Sequence, residues 1–195
     1  MVTRRSFALS AVLAPLALLV SGCGPAEKFR YKMTVEVETP EGLRTGYAVR
    51  EMHYRDGGGF MFGEGRPQLQ LTGEAVAVDL PNGQILFALL TGRDGNLDYA
   101  GNGVSAIFRV MDRDAGSKGG PYELWPKVPV VREPVTDPLP MLVRFRDLND
   151  PKSVERVDAE SLDQIFGRGV RLKKITIQAT DDNAVMSIDR RLVWL

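Results

Sequence analysis

The chain is poor in side chains able to carry a reaction. It holds one cysteine, Cys23, and one histidine, His53. The stretch Gly103-Val104-Ser105-Ala106 opens like the G-x-S-x-G turn that exposes a nucleophilic serine, but Ile107 stands where the last glycine belongs. That elbow takes its histidine from after the serine, whereas His53 precedes Ser105, and a helix start is the simpler reading. Asp94, Asn96 and Asp98 set oxygen side chains at every second position, as at the opening of a loop that wraps a hard cation such as calcium. Tyr99 occupies the place of that loop's glycine and Ser105 the place of its bidentate glutamate, so a polar turn competes with the metal reading. Gly57, Gly58 and Gly59 lead into Phe60, Met61 and Phe62. A phosphate-cradling loop opens a helix, and residues 63–67 do not read as one. Two readings of the aromatic tip stand: it folds inward as core, or it forms a contact loop for a membrane or partner.

Composition narrows the function classes. From residue 23 onward there are 25 acidic side chains against 23 basic ones, which lacks the basic field that displaces counterions from nucleic-acid phosphates. Nucleic acid is therefore not an expected partner, and no cofactor is implied. The 173 residues from Cys23 to the last residue suffice for one domain with a real core.

The setting of Cys23 says what it is for. Arg4 and Arg5 precede an apolar run over residues 7–20 and a small-residue exit at Ser21-Gly22, the layout of a cleaved export signal. The run is shorter than the ~20 residues of a membrane-spanning helix. With Cys23 directly after it, V-S-G-C resembles the lipobox of bacterial lipoproteins. The resemblance implies cleavage after residue 22, acyl chains on Cys23, a tether over 23–28 and membrane attachment. Gly24 stands where an inner-membrane retention aspartate would, which in a two-membrane source implies the outer membrane, facing the periplasm. The start T-R-R-S-F-A-L also resembles the twin-arginine export signal, departing from it at Ala8 and Leu9, and leaves the export route open. With its one thiol committed to lipid, the chain has none for a disulfide, a thiolate-zinc site or a cysteine nucleophile.

The elements that must position everything else read as mainly β. Residues 29–38 alternate apolar and polar, which predicts a half-buried strand. Thr39-Pro40-Glu41-Gly42 makes the turn to a second strand through Leu43, Thr45, Tyr47 and Val49. Residues 68–80 and 84–90 flank Asn82-Gly83 as a second hairpin, and the unbroken apolar run from Ile85 to Leu90 predicts a strand covered on both faces. Val104, Ile107, Phe108 and Met111 share a helical stripe over residues 102–113. Six prolines between Pro121 and Pro140 predict an extended surface connection. Met141, Val143 and Phe145 alternate. After a polar loop, Asp158 is placed to cap a helix over 159–166 carrying Leu162, Ile165 and Phe166, with Gly167 ending it. A final strand slips its alternation at Lys173-Lys174, as at a β-bulge. Leu192, Val193 and Trp194 are too apolar to hang in water and should dock.

The expected fold is an antiparallel sandwich or curved sheet with two short helices, one domain over residues 29–195. The pattern over residues 142–195 is similar to a group of short uncharacterised bacterial proteins, which implies a folded domain and no activity. The expected function is a non-catalytic envelope lipoprotein, a binding or structural domain for an envelope protein or small apolar ligand. The rival is an envelope hydrolase or metal-dependent enzyme using Asp94, Asp98 or Ser105. An enzyme would gather polar groups in one concavity, and a binding module would expose apolar surface.

Overall fold

The computed structural model describes residues 27–55, 68–81, 83–116, 118–127, 137–184 and 186–195. The expected export segment and Cys23, the tip Phe60, Met61 and Phe62, Asn82, and residues 128–136 of the proline-rich stretch lie outside the described residues.

Strands β1 (Glu27–Thr39) and β2 (Gly42–Arg55) form the expected hairpin. Alternation sends Tyr31, Met33, Val35 and Val37 of β1 inward, all fully buried. Pairing then decides which face of β2 follows them. Val35 stands opposite Gly46, Met33 opposite Ala48, Tyr31 opposite Arg50 and Phe29 opposite Met52, so β2 turns that set inward and leaves Leu43 and Tyr47 exposed.

The segment expected to be one strand over 68–80 is two strands in two sheets. β3 (Gln68–Thr72) extends the first sheet beside β2, while β4 (Val76–Asp79) pairs with β5 (Ile85–Gly92) in a second. Gly73 makes the break. Its φ is +153°, and a Cβ there would lie 2.7 Å from Cγ of Arg50, so only glycine lets the chain step across at this point. β5 is covered on both faces as its sequence predicts. Leu86 and Ala88 enter the core between the sheets, while Ile85 and Phe87 join a separate cluster outside.

β6 (Tyr122–Trp125), β7 (Pro140–Phe145), β8 (Val154–Val157) and β9 (Arg171–Ala179) complete two antiparallel sheets, ordered β3-β2-β1-β9-β6 and β4-β5-β7-β8. The mainly-β, sandwich-like expectation therefore holds. β6 lies inside the stretch expected to be a bare connection. It is an edge strand of four residues between Pro121 and Pro126, where missing amide donors cost the ladder least. β8 replaces part of the expected polar loop: Val154-Glu155-Arg156-Val157 pairs with β7 and buries only Val157. The bulge falls where the alternation slips, because Glu36 faces Lys174 and Val37 faces Leu172, leaving Lys173 over.

Of the two helices, α1 (Val104–Ala115) runs three turns, the length of the stripe expected over 102–113 displaced by two residues, and is entered through a π-turn at Tyr99–Gly103. It sets Phe108 among Phe29, Tyr31 and Tyr122, with ring centroids 5.1, 6.1 and 5.8 Å away. α2 (Leu162–Phe166) is a single turn that buries Leu162 and Phe166. It starts after Ser161, not Asp158, whose carboxylate instead accepts the Glu160 amide at 3.1 Å and closes a turn one step earlier. Gly167 ends it, as expected.

Candidate functional site

A strand that is apolar on both faces needs a cover on each. On its outer side β5 presents Phe87 and Leu89, joined there by Phe145 of β7, and the cover is the last segment of the chain, residues 186–195. Phe145 packs edge-on to Phe87 at 5.5 Å and against Trp194 at 5.4 Å. Leu192 is buried and Trp194 half-buried, while Val193, expected to dock with them, points to solvent at 75% exposure.

Three polar contacts hold the segment down. Glu74, in the step between β3 and β4, accepts the amides of Ser187 and Ile188 at 2.5 and 2.8 Å and the Ser187 hydroxyl at 3.0 Å. Arg191 grips the Asp79 carboxylate with both terminal guanidinium nitrogens, and the carboxylate raises the pKa of that guanidinium. The Trp194 indole donates to the Leu148 carbonyl at 2.8 Å.

The cover is incomplete. Between segment and sheet runs a groove of about 500 Å³, with Glu74, Phe87, Leu89, Phe145, Ile188 and Trp194 among its walls. Met186 and Leu195 also line it and are 61% and 69% exposed, so apolar surface continues outward from it. Its polar side chains are already engaged: Glu74 with Ser187, Trp194 with Leu148, and Asp189 with the Arg190 amide at 2.9 Å.

Behind this wall lies Arg50, fully buried although charged. Its guanidinium donates to the carbonyls of Glu74 at 3.2 Å, Ala88 at 3.3 Å and Leu89 at 3.4 Å, and to the Tyr31 hydroxyl at 3.4 Å. It also stands 5.9 Å from the Tyr31 ring centroid. One cation thus ties β2, the β3–β4 step and β5 together through backbone acceptors. Burial raises the Tyr31 phenol pKa, with Arg50 pulling the other way. Tyr99, also buried, is raised well above the ordinary value, and its hydroxyl donates to the Pro138 carbonyl at 3.0 Å.

The residues singled out in the sequence lie outside this groove. Ser105 donates to the Gly101 carbonyl at 3.1 Å, one turn back in the helix, and shares a 2.7 Å hydrogen bond with the Tyr54 hydroxyl. It borders a smaller cleft with Phe29, Tyr54, Asn102 and Arg109. His53 neighbours Tyr54 in β2, so strand alternation turns it to the opposite face of the sheet from Ser105. There His53 and Arg30 both contact Glu51, and the bond from His53 first, then that from Arg30, holds the Glu51 carboxyl down to about 2. Asp94 and Asn96 turn their oxygens on their own loop, accepting the amides of Asn96 at 3.0 Å and Asp98 at 2.9 Å, while Asp98 takes the Asn102 side chain at 2.7 Å. Among the described residues no three His, Cys, Asp or Glu side chains gather as a metal-holding group. The contact-loop residues Phe60, Met61 and Phe62 fall outside the description.

Sequence reasoning missed the groove, the Glu74 clasp and the buried Arg50. Two signals pointed at the groove: an apolar run on β5 needing cover on both sides, and an apolar final segment needing somewhere to dock. Compared with known proteins, the chain matches no family model, no curated protein and no solved structure.

Proposed function

We propose that this is a lipid-anchored protein of the bacterial envelope whose mainly-β domain binds an apolar partner and carries out no covalent chemistry. The observation that carries the binding half is the groove over β5, a concavity walled by aromatic and aliphatic side chains whose polar members are already hydrogen-bonded. The arrangement of Ser105, His53 and the Asp94–Asp98 loop favours binding over the hydrolase or metal-enzyme alternative, because His53 is turned to the opposite face of the sheet from Ser105, and Asp94 and Asn96 accept amides of their own loop. The anchoring half is carried by V-S-G-C at the end of the export segment.

Replacing Cys23 by serine tests the anchor. The lipidated protein is expected with washed membranes and the Cys23→Ser protein in the soluble fraction with its thermal melt unchanged, since among the described residues the buried clusters run from Tyr31 to Leu192. A Cys23→Ser protein that still sediments with membranes, in a chain shown to lose residues 1–22, rejects the lipid anchor.

A further inference from the structure

We infer that the groove over β5 is a site for one acyl chain of a membrane phospholipid. The walls say what chemistry fits. A peptide segment entering the groove would bring its own amides and carbonyls, and the groove's polar side chains are already hydrogen-bonded to partners within the protein. A hydrocarbon chain brings no polar group and gains from every wall, including Phe87, Leu89 and Phe145. A volume of about 500 Å³ is of the size of a small-ligand pocket rather than a protein interface.

The topology says why such a chain is at hand, and here the inference rests on the membrane-anchored reading. Thr72 pairs with Glu51 and Glu51 with Arg30, so the residue before groove-lining Gly73 stands in the same cross-strand row as the start of β1. Two strand spacings and three residues separate Thr72 from Glu27, roughly 15 Å. From Cys23 to Glu27 the chain reaches at most about 14 Å. On the membrane-anchored reading, a tether this short holds the whole domain, groove included, close to the lipid surface. Met186 and Leu195, exposed beside the groove, extend the apolar path outward.

The test uses the chain from residue 23 with Cys23→Ser, which retains every described residue of both apolar clusters and carries no lipid of its own. The probe is lysophosphatidylcholine brominated on its acyl chain, kept below its micelle concentration, and the readout is quenching of Trp194. Saturable quenching is expected, and it should vanish in Trp194→Phe, which leaves only Trp125, on the other sheet. Leu89→Arg on the groove wall and Met186→Glu at its exposed edge should each weaken the midpoint about tenfold or more, with Met186→Glu serving if Leu89→Arg does not fold. Competition by unbrominated lysolipids should tighten by about tenfold per two added methylenes. Absence of saturable quenching, indifference to chain length, or quenching untouched by Met186→Glu overturns the proposal. So does a dimer by sedimentation whose Trp194 is shielded from the probe, which assigns the groove to a second copy. Because this chain bears no lipid, its result is independent of the Cys23→Ser fractionation, and either reading can fail alone.

Discussion

At the scale of single residues, ion pairs on the outer face of the first sheet behave differently from the buried cation behind it. Arg30 and Glu51 are cross-strand neighbours in the β1–β2 register, and His53 reaches the same carboxylate from two residues along β2. The Glu51 pKa falls from 4.5 to about 2. A carboxyl depressed in the folded state contributes stability that is complete above its unfolded pKa and is lost as pH falls through the folded one. Acid should therefore erode the native protein between about pH 4.5 and 2 through this group, and Glu51→Gln should flatten the melting-temperature profile across that window. A profile unchanged by Glu51→Gln would contradict the assignment. Of this cluster the sequence showed only the residue types: Arg30 and Glu51 are 21 positions apart, and the hairpin register brings them together. Arg50 was less legible still. Strand alternation sets Arg50 on the face opposite Leu43, Thr45, Tyr47 and Val49, and only the inward-facing Tyr31 across the register marks that face as buried.

At the scale of elements, the two sheets are in close contact at a glycine. Gly46 of β2 faces β4, and a Cβ built on it would fall 2.1 Å from the Ala77 carbonyl oxygen. In an ordinary strand Gly→Ala is neutral or stabilising, because it restrains the unfolded chain. Here Gly46→Ala must push β4 off β2, and a loss of about 1–3 kcal/mol is expected in urea-unfolding measurements. A neutral Gly46→Ala would show that β4 is not seated there. The same pair of elements explains why the second hairpin was misread. Residues 68–80 alternate well enough for one strand, and nothing local tells Gly73 from a glycine in a bulge. The stem of Arg50 makes the difference, lying where a side chain on Gly73 would go. By contrast, α1 was legible because its stripe repeats over three turns, and β5 because six consecutive apolar residues admit no exposed face.

At the scale of the whole molecule, the proposed lipid anchor and the apolar groove are separate features, one in the first residues of the chain and one between the second sheet and the final segment. With Gly24 after Cys23, the protein of a two-membrane source is expected to travel with outer-membrane markers on a density gradient; recovery with inner-membrane markers would reverse that expectation. The sequence by itself determined the class of fold, through period-two alternation, turn residues and one helical stripe. It also carries the apolar run over 7–20 and V-S-G-C, on which the proposed export and lipidation rest and which owe nothing to packing. These features are contiguous in the chain, and local order suffices to read them. The tertiary structure alone decided what depends on residues brought together from afar: which face of β2 is buried, where the chain leaves one sheet for the other, and that Glu74 holds Ser187 across 113 positions to leave a groove beneath Trp194. A cavity is the space that several elements fail to fill, so it has no sequence pattern of its own; it exists only once the strands, the step at Gly73 and the final segment have taken their places.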